Sequence, residues 1–264
     1  MQHRPPTRPC RAIDAAEAEA WRALLAAAAG TGEALSLTHP LVDLFTPLLT
    51  IRRERLPVYA HLAQSLDGRI ALPDGSAFWI SGPEDVRHTH RMRALADAVV
   101  VGAETVVRDN PQLSVREVEG PSPLRVVLDP QGRVQPDAEI CTDGQPSLII
   151  RHKGSETAGD AEVVFLPHAE FAPQDVLGLL AARGVRRVLI EGGGVTVSRF
   201  LAAGCLDRLH LVVAPVLLGT GRPGLFLPLG DVPTSCPRPV RRRVALGEDT
   251  LYDLDLSRVG EPCP

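Results

Sequence analysis

The chain is poor in aromatic residues: six Phe, two Trp and two Tyr make up only 4% of its 264 residues. So few flat side chains argue against a surface that stacks nucleobases. Neither sign of charge dominates, since the formal balance is −4 and the pI about 6.1, which removes any global pull toward nucleic acid or anionic membrane. The five cysteines, Cys10, Cys141, Cys205, Cys236 and Cys263, are widely spaced and contain no C-x-x-C pair. That pattern predicts reduced thiols, with neither a disulfide framework nor a zinc site. No apolar h-region follows the opening MQHRPPTRPCR, and the apolar stretch at residues 23–29 is too short to cross a bilayer. A soluble cytoplasmic protein with no membrane or nucleic-acid partner is therefore expected. The glycine run at residues 188–196 does not spell the G-x-G-x-x-G fingerprint, so a Rossmann dinucleotide domain is not supported. His168-Ala169-Glu170 spells the H-x-E of zinc deaminases, but the P-C-x-x-C that this chemistry needs does not follow.

What is present is alternation. The proline-rich residues 1–11 read as disordered. Residues 14–29 read as a helix with Asp14 as N-cap and Gly30 just past its end. Residues 41–51 form a second apolar, helix-like segment, and residues 52–55 a linker. From residue 56 onward, strand-like runs (58–63, 98–101, 125–128, 147–150, 163–166, 187–190 and 209–213) alternate with helical patterns at 83–95, 173–182 and 195–203. Residues 240–246 and 250–256 read as an antiparallel hairpin. The expectation is an α/β domain with a mixed sheet over 56–258, a small helical extension over 1–55 and a tail over 259–264.

Three constellations carry chemistry. Residues 99–116, VVVGAETVVRDNPQLSVR, read as a buried strand stopped by Gly102, a short helix through Thr105 and Asp109, an Asn110-Pro111 turn, and a second strand in which Leu113 and Val115 deliver Arg116. This order suits a cradle for one phosphorylated ligand beside a dock for another. Residues 188–196, VLIEGGGVT, place Glu191 at a strand end, followed by Gly192, Gly193 and Gly194 and a helix opening at Val195 and Thr196. Glycines and a helix N-terminus together admit a phosphate to backbone N–H groups. Ser81-Gly82-Pro83-Glu84 reads as a capping box that starts a helix bearing Arg87, His88, His90, Arg91 and Arg93. The plain reading of that helix is a solvated basic face. Val86, His90 and Arg93 nevertheless share one side at i, i+4 and i+7.

These segments, with Ser65-Leu66-Asp67-Gly68 and Trp79, resemble over residues 57–257 the reductase half of the bifunctional deaminase-reductase of riboflavin biosynthesis. Residues 101–116 fit its (V/I)GxxTVxxDxPxLxxR pattern and residues 190–194 its EGG turn. The resemblance implies a dihydrofolate-reductase-like fold and NADPH as cofactor. It assigns cofactor contacts to Ala63, Trp79, Gly102, Thr105, Asp109, Gly193, Gly194, Val195 and Thr196. It assigns substrate contacts to Arg93, Leu113, Arg116 and Glu191, with Asp109 and Glu191 nearest the chemistry and no metal. The implied substrate is a 5-amino-6-(5-phosphoribosylamino)uracil-type pyrimidine, reduced to its ribitylamino product by hydride transfer to the C1′ imine.

Departures from the family pattern keep alternatives open. His61 stands where the family has lysine, Ala77 where it has serine, and Pro130 where serine is frequent. The undeaminated 2,5-diamino-pyrimidinone phosphate, or a related pterin or specialised pyrimidine, is a second possible substrate class. A non-catalytic nucleotide-binding regulator is a third reading. Arg151-His152-Lys153 offers positive charge for the cofactor's 2′-phosphate, and the apolar residues 211–218 suggest a sheet-edge contact for the homodimer the family implies. With no deaminase signature, a reductase lacking its usual partner domain is expected.

Overall fold

Runs of β-branched residues without polar alternation are stable only where both faces of a sheet are covered. A computed structural model describes residues 10–31, 37–51, 55–76, 80–227 and 238–257, and it places these runs at the centre of one sheet. The expectations for residues 1–9, Ala77, Trp79 and the 259–264 tail fall outside the described residues.

In chain order the elements are α1 (Ala15–Ala29), α2 (Pro40–Leu49), β1 (Val58–Ser65), β2 (Arg69–Ala71), α3 (Pro83–Leu95), β3 (Ala98–Gly102), α4 (Ala103–Asp109), β4 (Leu124–Leu128), α5 (Glu139–Thr142), β5 (Ser147–Arg151), β6 (Glu162–Phe165), α6 (Pro173–Ala181), β7 (Val188–Ile190), α7 (Gly194–Ala202), β8 (Arg208–Ala214), β9 (Arg222–Pro223), β10 (Val240–Leu246) and β11 (Asp249–Asp255). Among the described residues nine strands join in the order β10-β11-β8-β1-β7-β3-β4-β5-β6, and β2 pairs separately with β9. From β8 to β6 every neighbour is parallel; β11 is antiparallel to both β8 and β10. The mixed α/β sheet expected from the sequence is the one observed.

Side chains alternate between two cores. Tyr59, Val99, Val101, Val127 and Leu189 face α1, α2 and α3, whereas Val58, Ala60, Val100, Val126 and Ile190 face α6 and α7. Helices α1 and α2 belong to the first core. Leu24, Phe45 and Leu48 are fully buried, and each such burial contributes about 2 kcal/mol. Trp21 packs edge-on to Phe45 with centroids 5.9 Å apart, while its indole N–H donates to the Glu119 carbonyl at 2.8 Å. Gly30 ends α1 with φ +75°, as its position after the helix requires.

Three local expectations are corrected. Residues 110–116 form no strand. Asn110 and Leu113 are left-handed, with φ of +40° and +55°, and the turned chain sends Leu113 into the first core. The capping box does not form either: Gly82 is the N-cap of α3, without a side-chain cap. Ser81 instead donates to Asp85 one turn on, at 2.6 Å. Finally, β8 lies between β1 and β11, so residues 211–214 offer no sheet edge.

This topology creates one crevice. Strands β3 and β7 are parallel neighbours, but α4 carries the chain from β3 to β4 while α7 carries it from β7 back to β8, beyond β1. Connections leaving adjacent strands in opposite directions part at the carboxyl ends, which is where open α/β sheets place ligands.

Candidate active site

The floor of the crevice is made of backbone. Helices α4 and α7 both begin here, at N-caps Gly102 and Gly193, and neither carries a side-chain cap. Their unfilled N–H groups and partial positive ends favour an anion. The two turns interlock. A Cβ on Gly102 would stand 2.9 Å from Thr196 Oγ1, and one on Gly192, whose φ is +96°, 3.1 Å from Thr105 Oγ1. The glycines differ in purpose. A Cβ on Gly194 would meet the Gly224 carbonyl oxygen at 1.9 Å, so Gly194 serves packing against the chain beside β9. Gly193 has nothing closer than Thr105 Oγ1 at 3.8 Å, which leaves it the glycine open to a ligand. Val195 is exposed on the same rim, and Ala63 lies near the end of β1.

The wall beneath α3 is made of charge. His88, His90, Arg91 and Arg93 are all buried, so the solvated basic face is overturned. The reason is that α1 and α2 cover the helix's outer side while the sheet lies beneath it, and Glu17 of α1 pairs with Arg91. Arg93 holds Glu191 with two donors, Nε to Oε2 at 2.8 Å and Nη2 to Oε1, and gives Nη1 to the Ser114 carbonyl at 3.1 Å. Burial alone would lift the Glu191 carboxyl, but Arg93 outweighs it and holds the pKa below the ordinary value. Arg116 arrives from the irregular segment. Its backbone N–H donates to His90 Nδ1 at 2.9 Å and its guanidinium to Ser114 Oγ at 2.8 Å. Burial, with Arg93 and Arg116 alongside, depresses His90 to a pKa of about 4, so this ring is a neutral acceptor.

His61 sits beside this group. Ala60 pairs with Ile190 in register, which aligns His61 with Glu191 on the α3 side of the sheet. Its Nε2 lies 2.8 Å from Asp85 Oδ1. Burial opposes protonation of His61, yet the Asp85 carboxylate outweighs it and raises the pKa above that of an ordinary imidazole. On the next strand His210 meets His88 of α3 at 2.9 Å, and Asp253 follows on β11. Burial and the facing rings keep His88 well below its ordinary pKa.

The structure thus gathers Arg93, Glu191 and Arg116 at one wall and Gly102, Thr105, Gly193, Gly194, Val195 and Thr196 at the floor, with Leu113 anchored in the core beneath. Asp109, exposed at the end of α4, is lifted by partial desolvation against the pull of Arg108. One charge expectation and one redox expectation change. Arg151 is buried, bonded to Asp129 at 3.3 Å and to the carbonyls of Val134, Ser155 and Thr157, so its charge serves the fold. Only Lys153 of that trio is exposed. Cys205 is disulfide-bonded, against the expectation of reduced thiols, whereas Cys10 and Cys141 are free. Asp85 and Ser114 were not singled out by sequence; the Ser81-x-x-x-Asp85 spacing across a helix start was the signal available for the first.

The chain is similar in sequence and in fold to known proteins. The sequence profile described as the RibD C-terminal domain matches residues 57–238. The chain belongs to the RibD C-terminal domain family. Among its relatives is the 2,5-diamino-6-ribosylamino-4(3H)-pyrimidinone 5′-phosphate reductase of Methanothermobacter thermautotrophicus, 32% identical over 209 residues, covering 74% of this chain and 96% of that one. The riboflavin biosynthesis protein RibD of Aquifex aeolicus is 34% identical over 195 residues, covering 72% of this chain, and the chain spans about half, 52%, of that relative. In structure, Acinetobacter baumannii RibD superposes with a TM-score of 0.70 at 27% identity, over 81% of this chain and 62% of that one. The RibD C-terminal domain match begins after α2, although α1 and α2 share its first core. No helix among the described residues is long and apolar enough to cross a membrane, and these residues contain no cluster of metal-binding side chains.

Proposed function

We propose that this chain is an NADPH-dependent reductase of riboflavin biosynthesis, which converts a phosphoribosylamino-pyrimidine to its ribitylamino product. The observation that carries the reading is the meeting, at one switch point, of two uncapped helix N-termini with the Arg93–Glu191 pair and Arg116. The floor fits a dinucleotide: Gly193 is open, and both N-termini are free to receive phosphate. Gly102, Thr105, Gly193, Val195 and Thr196 would hold it, with Ala63, Trp79 and Asp109 as further contacts; Gly194 keeps the turn in place. When bound, the reduced nicotinamide supplies the hydride. Preference for the 2′-phosphate rests on the family resemblance and on Lys153, since Arg151 is engaged.

On the substrate side Arg116 has no carboxylate partner among the described residues and is the primary phosphate ligand. Arg93 completes that site with the donors it does not give to Glu191 and Ser114. Glu191, kept ionised by Arg93, orients the sugar hydroxyls. An imine is already electrophilic, so holding it in place supplies much of the rate. The uracil form is the first substrate choice. The undeaminated diamino form is favoured by the Methanothermobacter relative, which carries that substrate in its name and is matched over 96% of its length. We place the enzyme in the cytoplasm as a homodimer, which sedimentation would check. The test is NADPH oxidation with the two pyrimidines, and dihydrofolate as control. Turnover is expected with one or both pyrimidines and none with dihydrofolate; cofactor binding without oxidation of either would favour a regulatory protein.

A further inference from the structure

One rung of the sheet is built from ionisable side chains. Glu191 at the end of β7, His61 on β1, His210 on β8 and Asp253 on β11 lie side by side, all beneath α3. A buried row of this kind is costly unless every member is held. His61 is the member next to the Arg93–Glu191 pair. From α3 it faces Asp85, His88 and Arg93; from β7, Glu191; from β8, His210, with Asp253 beyond. Asp85 is itself fixed, by the Ser81 hydroxyl at 2.6 Å, and Thr89 lies 3.4 Å from His61 Nε2.

We propose that His61 is the proton donor of the reaction, with Asp85 and Ser81 as the residues that position it. The proposal rests on the reductase reading above. Nε2–H is committed to Asp85, so Nδ1–H is the donor. It gives its proton to the ring oxygen of the ribosylamine as the C1′–O bond breaks, and the exocyclic nitrogen lone pair forms the C1′=N bond. Hydride then reaches C1′ and the C=N pair returns to nitrogen. The products are a neutral amine, a free hydroxyl, oxidised nicotinamide and neutral His61, so atoms and charge balance. The neighbours are less suited. Glu191 is ionised, His90 is neutral with Nδ1 already accepting from Arg116, and Asp109 interacts with Arg108 and Glu104 instead of this group.

The test is His61→Gln with the wild type and His61→Lys beside it. Wild-type kcat should fall as pH rises through the His61 pKa, above the ordinary imidazole value. His61→Gln should lower kcat about 100-fold, leave KM within about threefold and abolish that limb. His61→Lys should recover most of the rate and move the limb upward, because a lysine ammonium holds its proton to higher pH. In NMR titration of the imidazole, Asp85→Asn should lower the His61 pKa, and Ser81→Ala should do so less. A His61→Gln enzyme with wild-type kcat and pH profile, or a His61 that titrates below the ordinary value, would overturn the proposal. A wild type inactive on both pyrimidines would instead strike the reductase reading on which it rests.

Discussion

The two walls of the crevice solve the same problem by different means. The floor at α4 and α7 uses peptide groups, glycines and helix ends, with little charge of its own. The wall under α3 uses charged side chains that the protein has already paired, Arg93 with Glu191 and His61 with Asp85. Backbone geometry suits a ligand bound by its phosphates, because N–H groups at a helix start cannot change protonation and cost nothing to reorganise. Paired side chains suit the reacting end, where protonation and orientation decide the rate. The difference also predicts fragility: the floor should fail by steric change, the wall by loss of a charge partner.

Arg93→Ala should have the largest effect. It leaves Glu191 buried and unpaired, at a cost of about 3–5 kcal/mol, read by denaturant unfolding. Activity should vanish with it. Arg93→Met with Glu191→Leu, which removes both charges, should recover much of the stability and none of the activity. A double variant as unstable as the single one would break the distinction between pairing and packing.

The floor is tested by two neighbouring glycines. Gly194→Ala drives a Cβ into the Gly224 carbonyl and should destabilise the fold by about 1–3 kcal/mol. Gly193→Ala meets no such obstacle. It should melt like the wild type yet bind NADPH about tenfold more weakly, a loss of about 1.4 kcal/mol in a calorimetric titration. Equal behaviour of the two would mean that the ligand does not approach Gly193. Arg116→Ala should raise KM for the phosphorylated substrate about tenfold, in line with one charge-assisted bond, while stability stays within about 0.5 kcal/mol.

The smallest effect concerns Asp249, whose carboxyl accepts from Gly82 N–H at the start of α3. Burial, reinforced by Asp85 and Glu84 against that hydrogen bond, raises its pKa to about 6. The folded state therefore binds more protons than the unfolded state between about pH 4 and 6. Stability from this group falls as pH rises through that window and is flat above it. Asp249→Asn should accordingly be more stable than the wild type at pH 7, with the gain gone below pH 4, as thermal melts at several pH values would show.

The floor was more legible in the sequence than the wall. Pro83 opens α3 where a proline at the first helical position predicts it, and the helix closes at Leu95 as expected. Gly102, Gly192 and Gly194 mark the two turns because a Cβ at each would crowd a neighbouring atom, whereas Gly193 is open. For the wall, residue types were visible but partners were not. Arg93 and Glu191 are 98 positions apart and meet only because β7 inserts between β1 and β3. Arg151 looked like a ligand for the same reason: its partner Asp129 lies on a different strand end, and no local pattern reports that burial. Leu113 was misread because alternation suggested a strand, whereas its left-handed backbone follows from the need to reach the core after the Asn110-Pro111 turn.

Both walls must act on a single carbon for the account to hold. NADPH carrying deuterium at both C4 positions of the nicotinamide reports this directly, with the product analysed by NMR. One deuterium is expected at C1′ of the ribityl chain and none on the pyrimidine ring. Label on a ring carbon, or an unlabelled product, would contradict it.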